Sequence, residues 1–513
     1  MKDIPHHQPA NKGILGFIFL ARRAYPEGRP NPAWALKRRA TVKRFSDASL
    51  AHRLFTRALM IKINKTMPTT ETAPLALDLN HIRSQFPSFA QTVNGHPAAF
   101  LDGPGGTQVP QRVIDAISNY LRGDNANTGG AYSTSRHTDA MIAYARAAMA
   151  DFLHCAADEI VFGQNMTSLT FGISRAIGRD LGPGDEILVT RLDHDANVSP
   201  WLALEENGVT VRWAEIHEED CTLDLDDLAS KINKKTKLVA VGYASNAVGT
   251  INPVKKIVAL AHAAGALAYV DAVHYGPHGL IDVQDLDCDF LACSTYKFFG
   301  PDMGVLFGKR EHLARLRPYK VRPLTDAVPN RWEWGTLNHE CIAGITACVD
   351  YIADVGTQNV GTTTDHVGTA ALGRPSGETR SETKSQRRAA IEAAFAAIHN
   401  YEHALMRRLM TGLAQIANIK VYGITDPARF SERCPTIALR VINQTADQTP
   451  LALSTKLGDR GFFTWDGNYY ALNLTERLNV ESTGGFLRIG LVHYNTQDEV
   501  DRLLAALREI VGS

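Results

Sequence analysis

Five apolar runs separated by glycine-marked turns and helical patterns constrain this chain more than any other feature. EIVFGQ at 159–164 leads into MTSLTFGISRAIG, DEILVTR spans 185–191, TKLVAVGYAS at 236–245 leads into PVKKIVALAHAAG, ALAYVDAV spans 266–273, and DFLACS at 289–294 precedes Lys297. Near-continuous Val, Ile, Leu and Ala runs alternating with helices are the pattern of strands buried on both faces of a parallel sheet. The expected core is therefore α/β: a large three-layer α/β/α domain on a mostly parallel sheet. Downstream, the helical pattern SQRRAAIEAAFAAIHNYEHALMRRLMTGLAQI, the short runs KVYGIT and TIALRVI, and the amphipathic DEVDRLLAALREIV predict a smaller α+β C-terminal domain.

The rest of the chain sorts around that core. Residues 1–66 carry 14 Lys and Arg against 3 Asp and Glu, and read as a basic, disordered N-terminal extension or as sequence upstream of a start at Met67. Residues 67–100 are expected to join the small domain, 101–345 to form the large one, and 346–513 the small one, with a flexible insertion at 356–385 that is rich in Gly, Thr and Ser. A formal net charge of zero gives no global reason to expect nucleic acid or an anionic membrane as partner. The apolar run GILGFIFLA at 13–21 is too short to span a bilayer. The 7 cysteines form no C-x-x-C pair, so the sequence indicates neither a disulfide framework nor a metal site, and points to a reducing, cytoplasmic setting.

Ligands of open α/β sheets bind beyond the carboxyl ends of the strands. The positions just after the runs hold Thr167, His194, Asn246, Asp271, His274, Ser294, Tyr296 and Lys297. A lysine, a carboxylate, two imidazoles and several hydroxyls on one edge match the needs of pyridoxal phosphate: an amine for a Schiff base, an acid facing the pyridine nitrogen, a flat group on the ring, and donors for phosphate. Taken singly, each has a plainer explanation. Lys297 could sit in a salt bridge, Asp271, Thr167 and Ser294 could cap helices or turns, and the histidines could be satisfied at the core edge.

LDHDANVSPW (192–201), YASNAVGTINPV (243–254), AYVDAVHYGPH (268–278) and STYKFFGPDMGVLFG (294–308), in this order, resemble the class V aminotransferase superfamily of fold-type I pyridoxal-phosphate enzymes, most of all its cysteine desulfurase-like proteins. The resemblance spans residue 78 or so to the C-terminus. It implies a PLP-dependent transferase fold, with catalytic roles for Lys297, which binds the cofactor covalently, for Asp271 at the pyridinium nitrogen and for His194 stacked on the ring. Asn246 and His274 would lie by the phenolic oxygen, and Met166, Thr167, Ser294 and Tyr296 around the phosphate. Thr336, in WEWGTLN, would reach the phosphate of a neighbouring subunit, which implies a homodimer with shared sites. Arg488, in FLRIGLVHYNT, would grip the carboxylate of an amino acid substrate.

Three departures bear on the reaction. The region where desulfurases carry their nucleophilic cysteine reads GFFTWDGNYYALN, 461–473, with Tyr470 near the expected position, and a phenol cannot replace a thiolate. Two glycine-rich loops, LDGPGGTQVP and NANTGGAYSTS, stand where substrate enters, and Tyr296 replaces a histidine before the lysine. The resulting expectation is a PLP-dependent enzyme acting on an amino acid without the desulfurase thiol. β-Elimination, epimerisation or a non-catalytic scaffold role stand as alternatives.

Overall fold

The computed structural model describes residues 77–359 and 385–512. The basic segment 1–66 and residues 360–384 of the expected insertion lie outside the described residues. Seven strands, β1 (Ile160–Gly163), β2 (Glu186–Thr190), β3 (Thr210–Ala214), β4 (Thr236–Gly242), β5 (Leu267–Asp271), β6 (Phe290–Ser294) and β7 (Gly304–Gly308), form one sheet in the order β1-β7-β6-β5-β4-β2-β3. β7 runs against β6 and β1, and every other pair is parallel. Six strands therefore end on the same edge.

Each of the five apolar runs became one strand. β3 went unanticipated because TVRWA, at the sheet border, mixes buried with exposed positions and carries Arg212, which bonds to Glu186. Side chains alternate between the two faces, as a pleated strand requires. Val239, Val241, Val270 and Leu291 enter one core together with α1 (Ser133–Leu153), whereas Leu238, Ala240, Tyr269 and Ala292 enter another with α2 (Met166–Ile177). The first core also takes in α3 (Val254–Ala263), α4 (His339–Asn359) and α5 (Gln386–Leu413). Helices on both faces give three layers.

α4 continues to Asn359, into the stretch expected as a loop. A Cβ on Gly356 would stand 1.9 Å from the Ala390 carbonyl, so this glycine is a close-packing point between α4 and α5 rather than loop punctuation. Beyond α5, β8 (Ile419–Tyr422), β9 (Thr436–Val441), β10 (Trp465–Gly467) and β11 (Phe486–Gly490) form an antiparallel sheet in the order β8-β9-β11-β10. Ile437, Leu439, Leu487 and Ile489 pack there against α5 and α6 (Gln497–Gly512). Ahead of the large sheet, Ala99–Phe100 pairs in parallel with Phe462–Phe463, and Gly490 donates its N–H to the Leu101 carbonyl. This places the loop after Leu101 beside β11. Among the described residues no helix is long and apolar enough to cross a membrane.

Candidate active site

Lys297 sits in the turn between β6 and β7. That turn is fixed from several sides: Thr295 N–H bonds to Met303 O, Phe298 and Gly300 donate to Thr295 O, Phe299 donates to the Thr107 hydroxyl, and the Cys348 thiol on α4 reaches Phe298 O. The Lys297 amine donates to the carbonyls of Pro104 and Gly105 and lies 4.8 Å from the centre of the Tyr296 ring. Burial, reinforced by the Arg488 cation, pushes the amine down to about 7, against the opposing pull of Asp102 and Asp271.

Asp271 is the last residue of β5. One carboxylate oxygen accepts the N–H of Val273 at 2.9 Å, and burial raises the acid to about 6 although Lys297 opposes this. On the next segment His194 follows β2 and accepts the Ala196 N–H at Nδ1. Burial, then Lys297 and Arg488, lower it to about 4, so its ring is neutral at ordinary pH. Asp102, which pairs with Arg488, and Pro104 and Gly105, whose carbonyls accept from Lys297, lie on one loop, so Lys297 and Arg488 meet at this edge. Tyr470 tilts over His194 with ring centres 5.4 Å apart.

Arg488, on β11, is 2 % exposed. It donates to Asn246 O at 3.0 Å and to Asp102 at 2.8 Å, lies 4.1 Å over the Tyr469 ring, and leaves Nε unpartnered. Asp102 belongs to the first glycine-rich loop. A Cβ on Gly105 would fall 1.9 Å from the Asp102 carboxylate, so the glycine gives that acid room to face Arg488. The second loop serves a helix start instead: Gly130 donates to Ser135 Oγ, which donates in turn to Asn127 O at the head of α1. Over the site, Tyr469 and Tyr470 both adopt positive φ, 56° and 58°. Such backbone costs roughly 1–3 kcal/mol per residue and is held by bonds from Asn246 Nδ2 to Tyr469 O and from Asp195 N–H to Tyr470 O.

At the start of α2, Asn165 caps the helix, Met166 donates its N–H to Ser294 Oγ at 3.0 Å, and the Thr167 side chain is exposed. Tyr296 is half-buried, and its carbonyl accepts the Thr107 N–H. Thr336 stands apart, exposed after the short helix Asn330–Trp332. His274 is buried three residues beyond Asp271; its Nε2 has no hydrogen-bond partner and its ring abuts His278.

A profile of the family described as Aminotransferase class-V matches residues 99–375 and 387–503. The chain belongs to the class-V aminotransferase family. A cysteine desulfurase from Pectobacterium atrosepticum is 32 % identical over 453 residues, covering 85 % of this chain and 98 % of that protein. One from Serratia proteamaculans is 31 % identical, covering 85 % and 99 %. Among solved structures, the apo cysteine desulfurase of Thermococcus onnurineus NA1 aligns with a TM-score of 0.70 at 24 % identity, over 84 % of this chain and 98 % of that one. An Escherichia coli cysteine desulfurase in its S-sulfonic acid form aligns at 0.68 and 22 %, over 85 % and 99 %. At those identities the structures bear on the fold alone, and they share it.

Class-V aminotransferases are pyridoxal-phosphate enzymes, and the donors on this edge fit that group. A half-buried amine of lowered basicity shares the edge with a buried acid, Asn246 Oδ1 is buried without a partner, and α2 presents its N-terminus beside Ser294. Asp102 and Tyr469 are the members of the site that sequence reading missed. The one signal for Asp102 was its place in LDGPGG; its partner lies 386 residues away.

Proposed function

We propose that this class-V aminotransferase acts on an α-amino acid with pyridoxal phosphate held at the edge where Lys297, Asp271, His194 and Arg488 converge. The observation that carries the reading is the geometry of one loop, whose Asp102 pairs with Arg488 and whose Pro104 and Gly105 carbonyls accept from the Lys297 amine, which burial lowers to about 7. Near neutral pH much of it is free base, the form that condenses with an aldehyde. In this reading Lys297 would hold the cofactor covalently, Asp271 would serve its ring nitrogen, His194 its ring, and Asn246 and His274 its phenolic oxygen. Met166, Thr167, Ser294 and Tyr296 hold the phosphate, aided by the free N–H groups and dipole of α2. When bound, the cofactor supplies an electron sink for charge released at the substrate α-carbon.

The remaining work falls to the chain. Arg488 binds the substrate carboxylate, which takes the place of the Asp102 carboxylate on the guanidinium. The Lys297 Nζ has the basicity to take and return a proton near pH 7. Tyr469, buried against Arg488, covers the edge on that side. Loop 461–473 holds no thiol, and Cys434 is buried with its thiol raised by that burial, so the reaction is completed on carbon without a persulfide on this loop. The active form is a homodimer in which Thr336 serves the neighbouring site, working where thiols stay reduced. Exposed Tyr319 and Val321 line one cleft with Trp334, two residues before Thr336, and support that contact.

Purified full-length protein should show the absorption of bound cofactor, and borohydride should fix that cofactor to the peptide carrying Lys297. Lys297→Ala should lose both signals, while incubation with cysteine should leave the seven thiols free of added sulfur by mass spectrometry. Unchanged colour in the variant sinks the cofactor assignment. A persulfide on any cysteine sinks the sulfur assignment alone.

A further inference from the structure

Three buried side chains from two distant parts of the chain bring possible ligand atoms close to one another. His274 and His278 lie four residues apart on the turn after β5, and Cys434 lies two residues before β9; one ligand atom from each lies within 4.8 Å of the others. All three are at least nine-tenths buried, with exposures of 4 %, 4 % and 2 %. The Nε2 atoms of both histidines have no hydrogen-bond partner, which is costly for buried imidazoles unless something else engages them.

Other features of the cluster suit a metal ion. His278 Nδ1 lies 2.8 Å from the Glu402 carboxylate on α5. With the carboxylate as acceptor, Nδ1 carries the proton and Nε2 keeps a lone pair, the outer arrangement that orients a metal-ligating histidine. The backbone of Cys434 is pinned, its N–H donating to Gly249 O at 2.8 Å and its carbonyl accepting from Thr436 at 2.8 Å. His278, Glu402 and Cys434 also line a cavity of about 690 Å³, with His399 and His403 on the wall formed by α5. Arg433 lines it too, but its guanidinium is committed to the carbonyls of Ile424, Val248 and Thr436.

We propose that His274, His278 and Cys434 form a binding site for zinc or a similar borderline-soft divalent cation, with the fourth coordination position open to the cavity. Two imidazoles and a thiolate disfavour magnesium and calcium, which prefer oxygen, and suit zinc, which is bound tetrahedrally by nitrogen and sulfur. Tetrahedral bonds of about 2.0–2.3 Å require donor atoms about 3.3–3.7 Å apart. Closing the observed spacing to that value takes side-chain rotation of about 1 Å. Binding converts the Cys434 thiol to thiolate and releases one proton to solvent, while the two imidazoles bind as neutral ligands. The ion would tie the turn after β5 to the strand edge of the second sheet. The assignment shares His274 with the cofactor reading and rests otherwise on His278 and Cys434, which that reading does not use.

Titration of the full-length, cofactor-loaded protein with Co²⁺ should give one equivalent of four-coordinate visible absorption, displaced by Zn²⁺. Cys434→Ser should abolish the sulfur-to-cobalt charge transfer, and His278→Asn should remove stoichiometric binding. Glu402→Gln, which leaves all three ligands in place, should weaken binding by about 10–100-fold. One zinc per chain surviving gel filtration in wild type and lost in Cys434→Ser would support the site. Absence of stoichiometric binding in the wild type would overturn it, as would binding that Cys434→Ser and Glu402→Gln both leave intact.

Discussion

Lys297 and Arg488 share one edge, and the Arg488 cation makes the lysine harder to keep protonated. Arg488→Met removes a positive neighbour and leaves Asp102 unpaired beside the amine. Both changes favour the protonated lysine, so its titration should move up from about 7 towards the ordinary 10.5. Reductive trapping of an aldehyde by the cofactor-free protein should then slow by about 3- to 10-fold at pH 7.5, with its midpoint moved to higher pH. The same variant should bind amino acids poorly. Unchanged trapping with a midpoint still near 7 would mean that Arg488 does not act on the lysine. The wild-type lysine also has a signature in stability. The unfolded chain holds that proton up to about 10.5 and the folded one only up to about 7, so this group makes folding more favourable as pH rises between those values.

Among the elements, the segment that carries Thr336 is anchored by a buried ion pair. Glu333 accepts from Arg146 of α1 at 2.9 and 2.6 Å and from the Phe162 N–H of β1 at 2.9 Å. Glu333→Ala strands the Arg146 cation and should cost about 3–5 kcal/mol in denaturant unfolding, whereas Glu333→Gln, which keeps the shape, should cost less. Equal, small losses in both would show that the pair is not structural. This segment also marks how far the sequence could be read. Five of the seven large-sheet strands were legible because strands buried on both faces are nearly pure apolar runs, and the strand ends followed from them. β3 was hidden by its border position, β10 by its three-residue length, and β11 by partners distant in the chain. The proximity of Asp102 to Arg488, and of Cys434 to His274 and His278, comes from tertiary packing that no local period encodes.

At the level of the whole molecule, the exposed Tyr319, Val321 and Trp334 are 53 %, 58 % and 40 % accessible, next to a threonine that does no work within its own chain in the proposed reading. Val321→Asp with Trp334→Asp should turn a sedimenting dimer into a monomer and lower cofactor occupancy, while secondary structure by circular dichroism stays the same. A dimer that survives both charges would place the interface elsewhere. The reversed course of β7 bears on how such a molecule moves. Because the β6–β7 turn is fastened to Thr107 on one side and Cys348 on the other, the peptide beneath residue 297 is a fixed post. Any travel of the amine between two tasks must be made by its four methylenes, like a tether on a nailed ring, while the ring itself stays still.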